Sequence, residues 1–200
     1  MRMPLEFCSA FNSANEVRVH IERRRAEREA RPRQRNPIPR EEAFAAGTDV
    51  DRGIDVRSNL QKIYKWKMKA FQRFHSDFPD RVTDEELNKA IEATRNAVRN
   101  PHDERAIFVA LDALKSLRGI GVPTASAILT AMNHKDFTII DRHAFKALGA
   151  QQFRARIEDY IDYLRFCRNE AERLGVSLDC HDQALWQRGR ELSAGKRNSN

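Results

Sequence analysis

The residues with the clearest chemical potential lie between positions 117 and 143. There Gly119, Gly121 and Pro123 stand between two apolar helical patterns. Glycine allows positive φ and removes a Cβ atom, and proline suits the first turn of a helix. The spacing predicts two helices joined by a tight turn, a helix-hairpin-helix. Such a turn presents free backbone N–H groups and the positive end of a helix dipole, which suits one phosphate.

A carboxylate follows this hairpin. Asp141 comes after the short apolar segment Phe137-Thr138-Ile139-Ile140 and before a helical pattern that reaches Leu148. The apolar side chains predict a buried segment that delivers Asp141 to a fixed place at a helix N-terminus. Two interpretations remain open. Asp141 is either an N-cap without chemistry or an ionised carboxylate that faces a developing positive charge.

The order L-R-G-I-G-V-P-T-A-S-A-I-L, then a short linker and I-I-D, resembles the signature of the helix-hairpin-helix DNA glycosylases, the HhH-GPD superfamily. The resemblance covers residues 103 to 149 well and the rest loosely. It implies base-excision repair, in which a flipped base is cut from its sugar. It also implies that Asp141 stabilises the cationic sugar.

The same resemblance bears on strand cleavage. Family members that also cleave the strand carry a lysine inside the hairpin, which forms a Schiff base with the sugar. Pro123 stands at that position here. The resemblance therefore implies the monofunctional branch, and we expect borohydride to trap no covalent adduct with DNA.

A basic amphipathic helix precedes the hairpin. Its apolar face is predicted to hold Leu60, Ile63, Tyr64, Met68, Phe71 and Phe74, while lysines and Arg73 occupy the other face. The residues predicted to contact DNA are Arg118, Gly119, Ile120, Gly121, Val122, Thr124, Lys62 and Lys67. Those predicted to line a base pocket are Tyr64, Trp66 and Trp186, because aromatic rings stack on flipped bases. For Trp66 the alternative is packing on a neighbouring helix.

Composition favours a polyanionic partner. The chain has 36 Lys and Arg against 29 Asp and Glu, a net charge of +7 and a pI near 9.6. Double-stranded DNA is the expected partner. The alternative is an ordinary basic protein whose charge has no specific role.

Several site classes are not expected. Three widely spaced cysteines can form neither a disulfide framework nor a four-cysteine metal or iron–sulfur site, and no histidine pair has ligand spacing. We therefore expect no metal and no cofactor. No apolar run has the length of a membrane span. We expect a monomeric cytoplasmic protein without a membrane partner, associated with the nucleoid if the source is bacterial.

The predicted organisation is all-α, because no alternating strand pattern of useful length occurs. Residues 1–57 are predicted to be a basic, largely flexible arm, either gripping phosphates or simply solvated. Residues 58–194 are predicted to form a compact helical domain around the hairpin, and residues 195–200 a disordered tail. Thr83 and Glu86 predict a capping box, Asp103 an N-cap and Gly175 a helix end.

Two functions compete. The first is a DNA glycosylase that hydrolyses the N-glycosidic bond of a modified or mispaired base. The second is a non-catalytic helix-hairpin-helix protein that only binds DNA. The family usually packs a further helical domain against the hairpin domain, and the predicted folded part is short for both, which favours the second.

Overall fold

The computed structural model describes residues 7–30, 38–68, 78, 81–150, 153 and 155–195. Nine α-helices and no strand occur in these ranges, which confirms the all-α prediction. They are α1 (Ala14–Ala30), α2 (Arg40–Arg52), α3 (Val56–Lys67), α4 (Asp84–Arg99), α5 (Glu104–Ser116), α6 (Val122–Met132), α7 (Arg142–Ala147), α8 (Ile157–Leu174) and α9 (Leu178–Gly195).

Some predicted features fall outside these ranges. They are the apolar positions Phe71 and Phe74, the basic residue Arg73, residues 1–6 and 31–37 of the predicted arm, and the tail beyond Gly195.

Helix α6 is the centre of the fold. Every one of its residues except Pro123 is buried, and the helix packs against α2, α3, α5, α4 and α8. A helix that is apolar on all sides has to be surrounded by other helices. Around it, α4 packs on α5, α7 packs on α9, and α1 lies along α9.

The local signals at helix ends are confirmed. The Thr83 hydroxyl accepts a hydrogen bond from the Glu86 N–H at 3.2 Å, and the Glu86 carboxylate accepts one from the Thr83 N–H at 2.9 Å. Asp103 caps α5 by accepting from the N–H groups of Arg105 and Ala106. Gly175, with φ of +63°, ends α8 in the left-handed region.

Within the arm expected over residues 1–57, the described helices α1 and α2 pack against the rest of the protein instead of being free. Val17 of α1 is fully buried, and Glu27 of the same helix accepts a hydrogen bond from Gln187 of α9 at 3.0 Å. Helix α2 packs on α3 and α6 and buries Ala43 and Val50. The charged helices are held because single apolar positions reach the core and their charges are paired across helices.

Gly47 sets how closely α2 approaches α6. A Cβ atom built at Gly47 would overlap the backbone carbonyl of Ala131. Only glycine fits at this position, because protein interiors are closely packed and have no space for an added methyl group.

We predict that Gly47→Ala lowers the free energy of unfolding by about 1–3 kcal/mol, because the new methyl group forces α2 away from α6. For a domain of this size each kcal/mol corresponds to a fall of about 2–4 °C in melting temperature. Ala45→Ser, at an exposed position of α2, is the control and should melt like the wild type. A Gly47→Ala variant as stable as the wild type would mean that α2 is not packed in this way.

Candidate functional site

Residues 117–121 form the turn between α5 and α6. The Ile120 N–H donates to the Leu117 carbonyl at 3.1 Å, and Gly119 has φ of +90°. Leu117 and Ile120 are buried, whereas Arg118, Gly119 and Gly121 are exposed. The turn is therefore anchored by its apolar side chains and presents its glycines to solvent.

The two glycines differ, and one expectation was wrong. Gly121 has φ of −100° and ψ of 171°, an extended conformation that any residue adopts. A Cβ atom at this position would meet only Pro123 Cδ at 3.7 Å, an ordinary contact. Positive φ is required at Gly119 alone, so the conformational argument holds for Gly119 and fails for Gly121.

Backbone amides at the turn are available to a ligand. Within the described part of the chain, neither a carbonyl nor a side chain accepts a hydrogen bond from the N–H of Gly119 or Gly121. By contrast, the N–H groups of Thr124 and Ala125 donate to the Gly121 carbonyl at 3.0 and 2.9 Å. The exposed amides lie at the N-terminus of an 11-residue helix, where anions are favoured.

The remaining predicted hairpin contacts point inward. Ile120, Val122 and Thr124 each have at most 5% of their residue surface exposed. The predicted contacts of these three residues with DNA therefore have little accessible surface to rest on. Arg118 is the hairpin residue whose side chain is free to reach a phosphate, since it is exposed and has no ion-pair partner among the described residues.

The C-terminal end of α3 lies against this turn. The Tyr64 hydroxyl oxygen is 3.8 Å from the position of a Cβ atom built on Gly119, and the Thr124 hydroxyl donates to Met68 Sδ at 3.6 Å. Both contacts bring the last turn of α3 to the junction of the 117–121 turn and α6.

Asp141 is held in place by the segment before it. The Ile140 N–H donates to the Ser126 hydroxyl of α6 at 3.2 Å, and the Ile139 N–H donates to Asp182 of α9 at 3.1 Å. All of residues 137–140 are buried, as predicted. Because the segment is fixed to two helices, Asp141 has a defined position.

Both carboxylate oxygens of Asp141 have partners. Oδ1 accepts a hydrogen bond from the His143 N–H at 2.8 Å, which confirms the N-cap of α7. Oδ2 lies 3.1 Å from Nζ of Lys67, which is the last residue of α3. The side chains of Lys67 and Asp141 are 15% and 22% exposed, so the pair is largely but not wholly shielded from water.

The electrostatics keep Asp141 charged. Burial acts to raise the pKa of Asp141, but the Lys67 ammonium group and the His143 N–H together hold this pKa below its ordinary value. The carboxylate is therefore ionised at neutral pH. It is a fixed negative charge paired with the last residue of α3.

Lys67 was predicted from the sequence to contact DNA. In the structure its ammonium group pairs instead with Asp141, 74 residues away, and this pairing was not predicted. One signal was present. Lys67 follows Ile63 and Tyr64 by four and three positions, so it falls on the buried face of α3 rather than among the other lysines. A lysine on an apolar face predicts a buried partner, although it does not say which one. Lys62, also predicted to contact DNA, donates to the side chain of Asn59 at 3.1 Å.

The predicted base-pocket aromatics have separate neighbours. Tyr64 is buried against Phe78, with ring centroids 4.8 Å apart, close to the turn. Trp66 packs edge-on against Phe44 of α2, with ring centroids 5.8 Å apart. This contact agrees with the alternative prediction, that Trp66 packs on a neighbouring helix.

The guanidinium groups of Arg24 and Arg190 lie 4.6 and 4.9 Å from the ring centre of Trp186 on α9. It also contacts the His143 ring, with centroids 5.8 Å apart. Trp186 is thus near the start of α7, but it does not share contacts with Tyr64 or Trp66.

A cavity of about 1000 Å³ lies between α1, α7 and α9, lined by His20, Arg142, Phe145, Arg188 and Leu192 among others. Neither Asp141 nor any of the three predicted aromatics is part of its wall. A base pocket at Asp141 therefore stays a prediction.

Comparison with known proteins gives no match to a protein-family model, to a curated protein or to a solved structure. The resemblance to helix-hairpin-helix glycosylases rests on residues 103 to 149 and stays a prediction. In the described ranges there is no group of three His, Cys, Asp or Glu side chains that could hold a metal ion. No helix in those ranges is long and apolar enough to cross a membrane.

The geometry of the turn predicts unequal effects of the same substitution at its two glycines. Gly119→Ala should cost about 1–2 kcal/mol of stability, because its backbone conformation disfavours a side chain. Gly121→Ala should cost much less, and it serves as the matched control. Urea denaturation measures both, and equal losses would contradict the assigned conformations.

The Asp141–Lys67 pair predicts a pH dependence of stability. Because the folded pKa of Asp141 is lowered, its contribution is complete above the unfolded pKa of about 3.9 and is lost as the pH falls through the folded value. Asp141→Asn should therefore be less stable than the wild type at pH 7, by about 1–3 kcal/mol, and the difference should shrink below about pH 4.

Denaturation at pH 7, 5, 4 and 3 tests this dependence. Asp112→Asn, which changes an exposed carboxylate on α5, is the control and should show little difference at any of these values. A stability difference for Asp141→Asn that stays constant down to pH 3 would contradict the pairing.

Proposed function

We propose that this chain binds duplex DNA through the 117–121 turn and hydrolyses the N-glycosidic bond of a modified or mispaired base. One observation carries the proposal. An ionised, rigidly held Asp141 is joined through α3 to an exposed turn whose amides suit a phosphate.

DNA binding would be sequence-independent. The N–H groups of Gly119 and Gly121, the N-terminus of α6 and the side chain of Arg118 would hold one backbone phosphate. Such contacts position the duplex without reading its sequence. The net charge of +7 supports association with DNA and makes the affinity fall as salt rises.

Asp141 would act on the sugar. As the base leaves with the electrons of the glycosidic bond, positive charge develops at C1′ and the ring oxygen. Water then attacks C1′, its oxygen bonds to that carbon, and the proton it releases balances the one that the departed base takes up. A carboxylate already fixed by the His143 N–H keeps its orientation as that charge develops. The same acceptor that caps α7 would thus serve the chemistry, so the capping and catalytic interpretations are compatible.

The alternative function is a non-catalytic DNA-binding protein. It is favoured by the fact that both oxygens of Asp141 are engaged and that the large cavity lies elsewhere. In that case the Asp141–Lys67 pair would be a purely structural link between α3 and α7.

The Asp141→Asn variant separates the two functions. Asparagine keeps an oxygen that can cap α7, so folding and DNA binding should persist. Base release should fall by about 10²–10³-fold or more, because the charge facing the sugar is gone. The assay incubates each protein with duplexes carrying deaminated, alkylated, oxidised or mispaired bases and then adds alkali to cleave at abasic sites.

Asp136→Asn is the matched control, since it removes the same charge from the segment before Asp141 while Asp136 contacts Asn133 rather than Lys67. It should release bases at the wild-type rate. If the wild type binds DNA but releases no base from any duplex, the non-catalytic alternative holds. If Asp141→Asn releases bases as fast as the wild type, Asp141 is not the catalytic carboxylate.

A further inference from the structure

In the free protein the charge of Asp141 is masked. Its Oδ1 accepts from the His143 N–H, and its Oδ2 faces the Lys67 ammonium group at 3.1 Å. Two opposite unit charges at this distance largely cancel as seen from outside. In this state the carboxylate has no free oxygen to offer a cationic sugar.

We propose that Lys67 is a displaceable counter-ion, whose ammonium group leaves Asp141 for a DNA phosphate when a duplex binds at the 117–121 turn. The inference rests on the proposed DNA binding and deepens it. Lys67 is then a positioning residue: when DNA occupies the turn, Lys67 moves away and the Asp141 carboxylate is freed.

The placement of Lys67 makes this exchange feasible. It is the last residue of α3. In sequence it stands between Tyr64, whose hydroxyl oxygen lies 3.8 Å from the position of a Cβ atom built on Gly119, and Met68, whose sulfur accepts from the Thr124 hydroxyl. A lysine ammonium group sits on a flexible four-carbon stem and binds anions as a point charge, without fixed geometry. With 15% of its side chain exposed, Lys67 is reachable by a phosphate.

The pair also lowers the electrostatic repulsion between Asp141 and an approaching duplex. A bare carboxylate beside the phosphate site would repel the approaching duplex. With Lys67 in place, the Asp141–Lys67 pair has a net charge near zero while DNA approaches. Exchange of one anion for another then leaves the ammonium group paired throughout, and the carboxylate it leaves is free to face the sugar.

The rival to this inference is a static pair, in which Lys67 stays on Asp141 in the complex. The two differ in the number of phosphates that the protein neutralises. Each lysine–phosphate contact contributes about 0.9 to the slope of log affinity against log salt concentration for duplex DNA. The slope therefore reports whether Lys67 has moved, and it does so without any base-release activity.

The experiment measures this slope by fluorescence anisotropy with a labelled duplex that carries a stable abasic-site analogue, for the wild type, Lys67→Met and Lys67→Arg. The slope should fall by about 0.9 in Lys67→Met and return to the wild-type value in Lys67→Arg. Lys89→Met removes an exposed charge from α4 and controls for net charge. Its slope should stay near that of the wild type.

The outcomes are distinct. If the wild type and Lys67→Met both bind DNA with the same slope, Lys67 does not move to a phosphate and the inference is overturned. If the wild type does not bind DNA even at low salt, the proposed function itself fails, and this inference with it. Lys67→Gln replaces the methionine variant if the latter does not fold.

Discussion

The contact between Lys67 and Asp141 is the interaction on which the candidate site depends. It joins the end of α3 to the start of α7, at 3.1 Å between Nζ and Oδ2. Its geometry requires that the segment before Asp141 be fixed, which Ser126 of α6 and Asp182 of α9 achieve through the N–H groups of residues 140 and 139. Arg40 of α2 lies 3.7 Å from the second oxygen of Asp182. Helices from both ends of the chain thus contribute to the position of one carboxylate.

The basic N-terminal region illustrates why charge in a sequence does not locate a binding surface. Burial lowers the pKa of Arg24 to about 10, and its guanidinium group packs over Trp186. Arg40 lies over the ring of Phe44 and pairs with Asp179 at 2.5 Å. These arginines hold α1 and α2 against the rest of the protein. Part of the positive charge that suggests a DNA partner is therefore engaged within the fold, and the proposed interface depends on the turn itself.

The sequence predicted correctly those features whose residues are close together along the chain. The capping box at Thr83, the end of α8 at Gly175 and the buried segment before Asp141 follow from residues a few positions apart, and all are confirmed. The packing of α1 on α9 and the pairing of Lys67 with Asp141 depend on contacts between distant segments, which periodicity does not encode. Gly121 shows a third case. Its residue type suggested a positive φ, which only Gly119 has of the two glycines in the turn.

The most direct test of this account is an experimental structure of the protein bound to a duplex with a stable abasic-site analogue. We expect a backbone phosphate within hydrogen-bond distance of the amides of Gly119 and Gly121. We also expect the sugar of the analogue to face Asp141 and the Lys67 ammonium group to lie on a phosphate. A complex in which the duplex lies on another face, with Asp141 still paired to Lys67 and remote from the sugar, would contradict it.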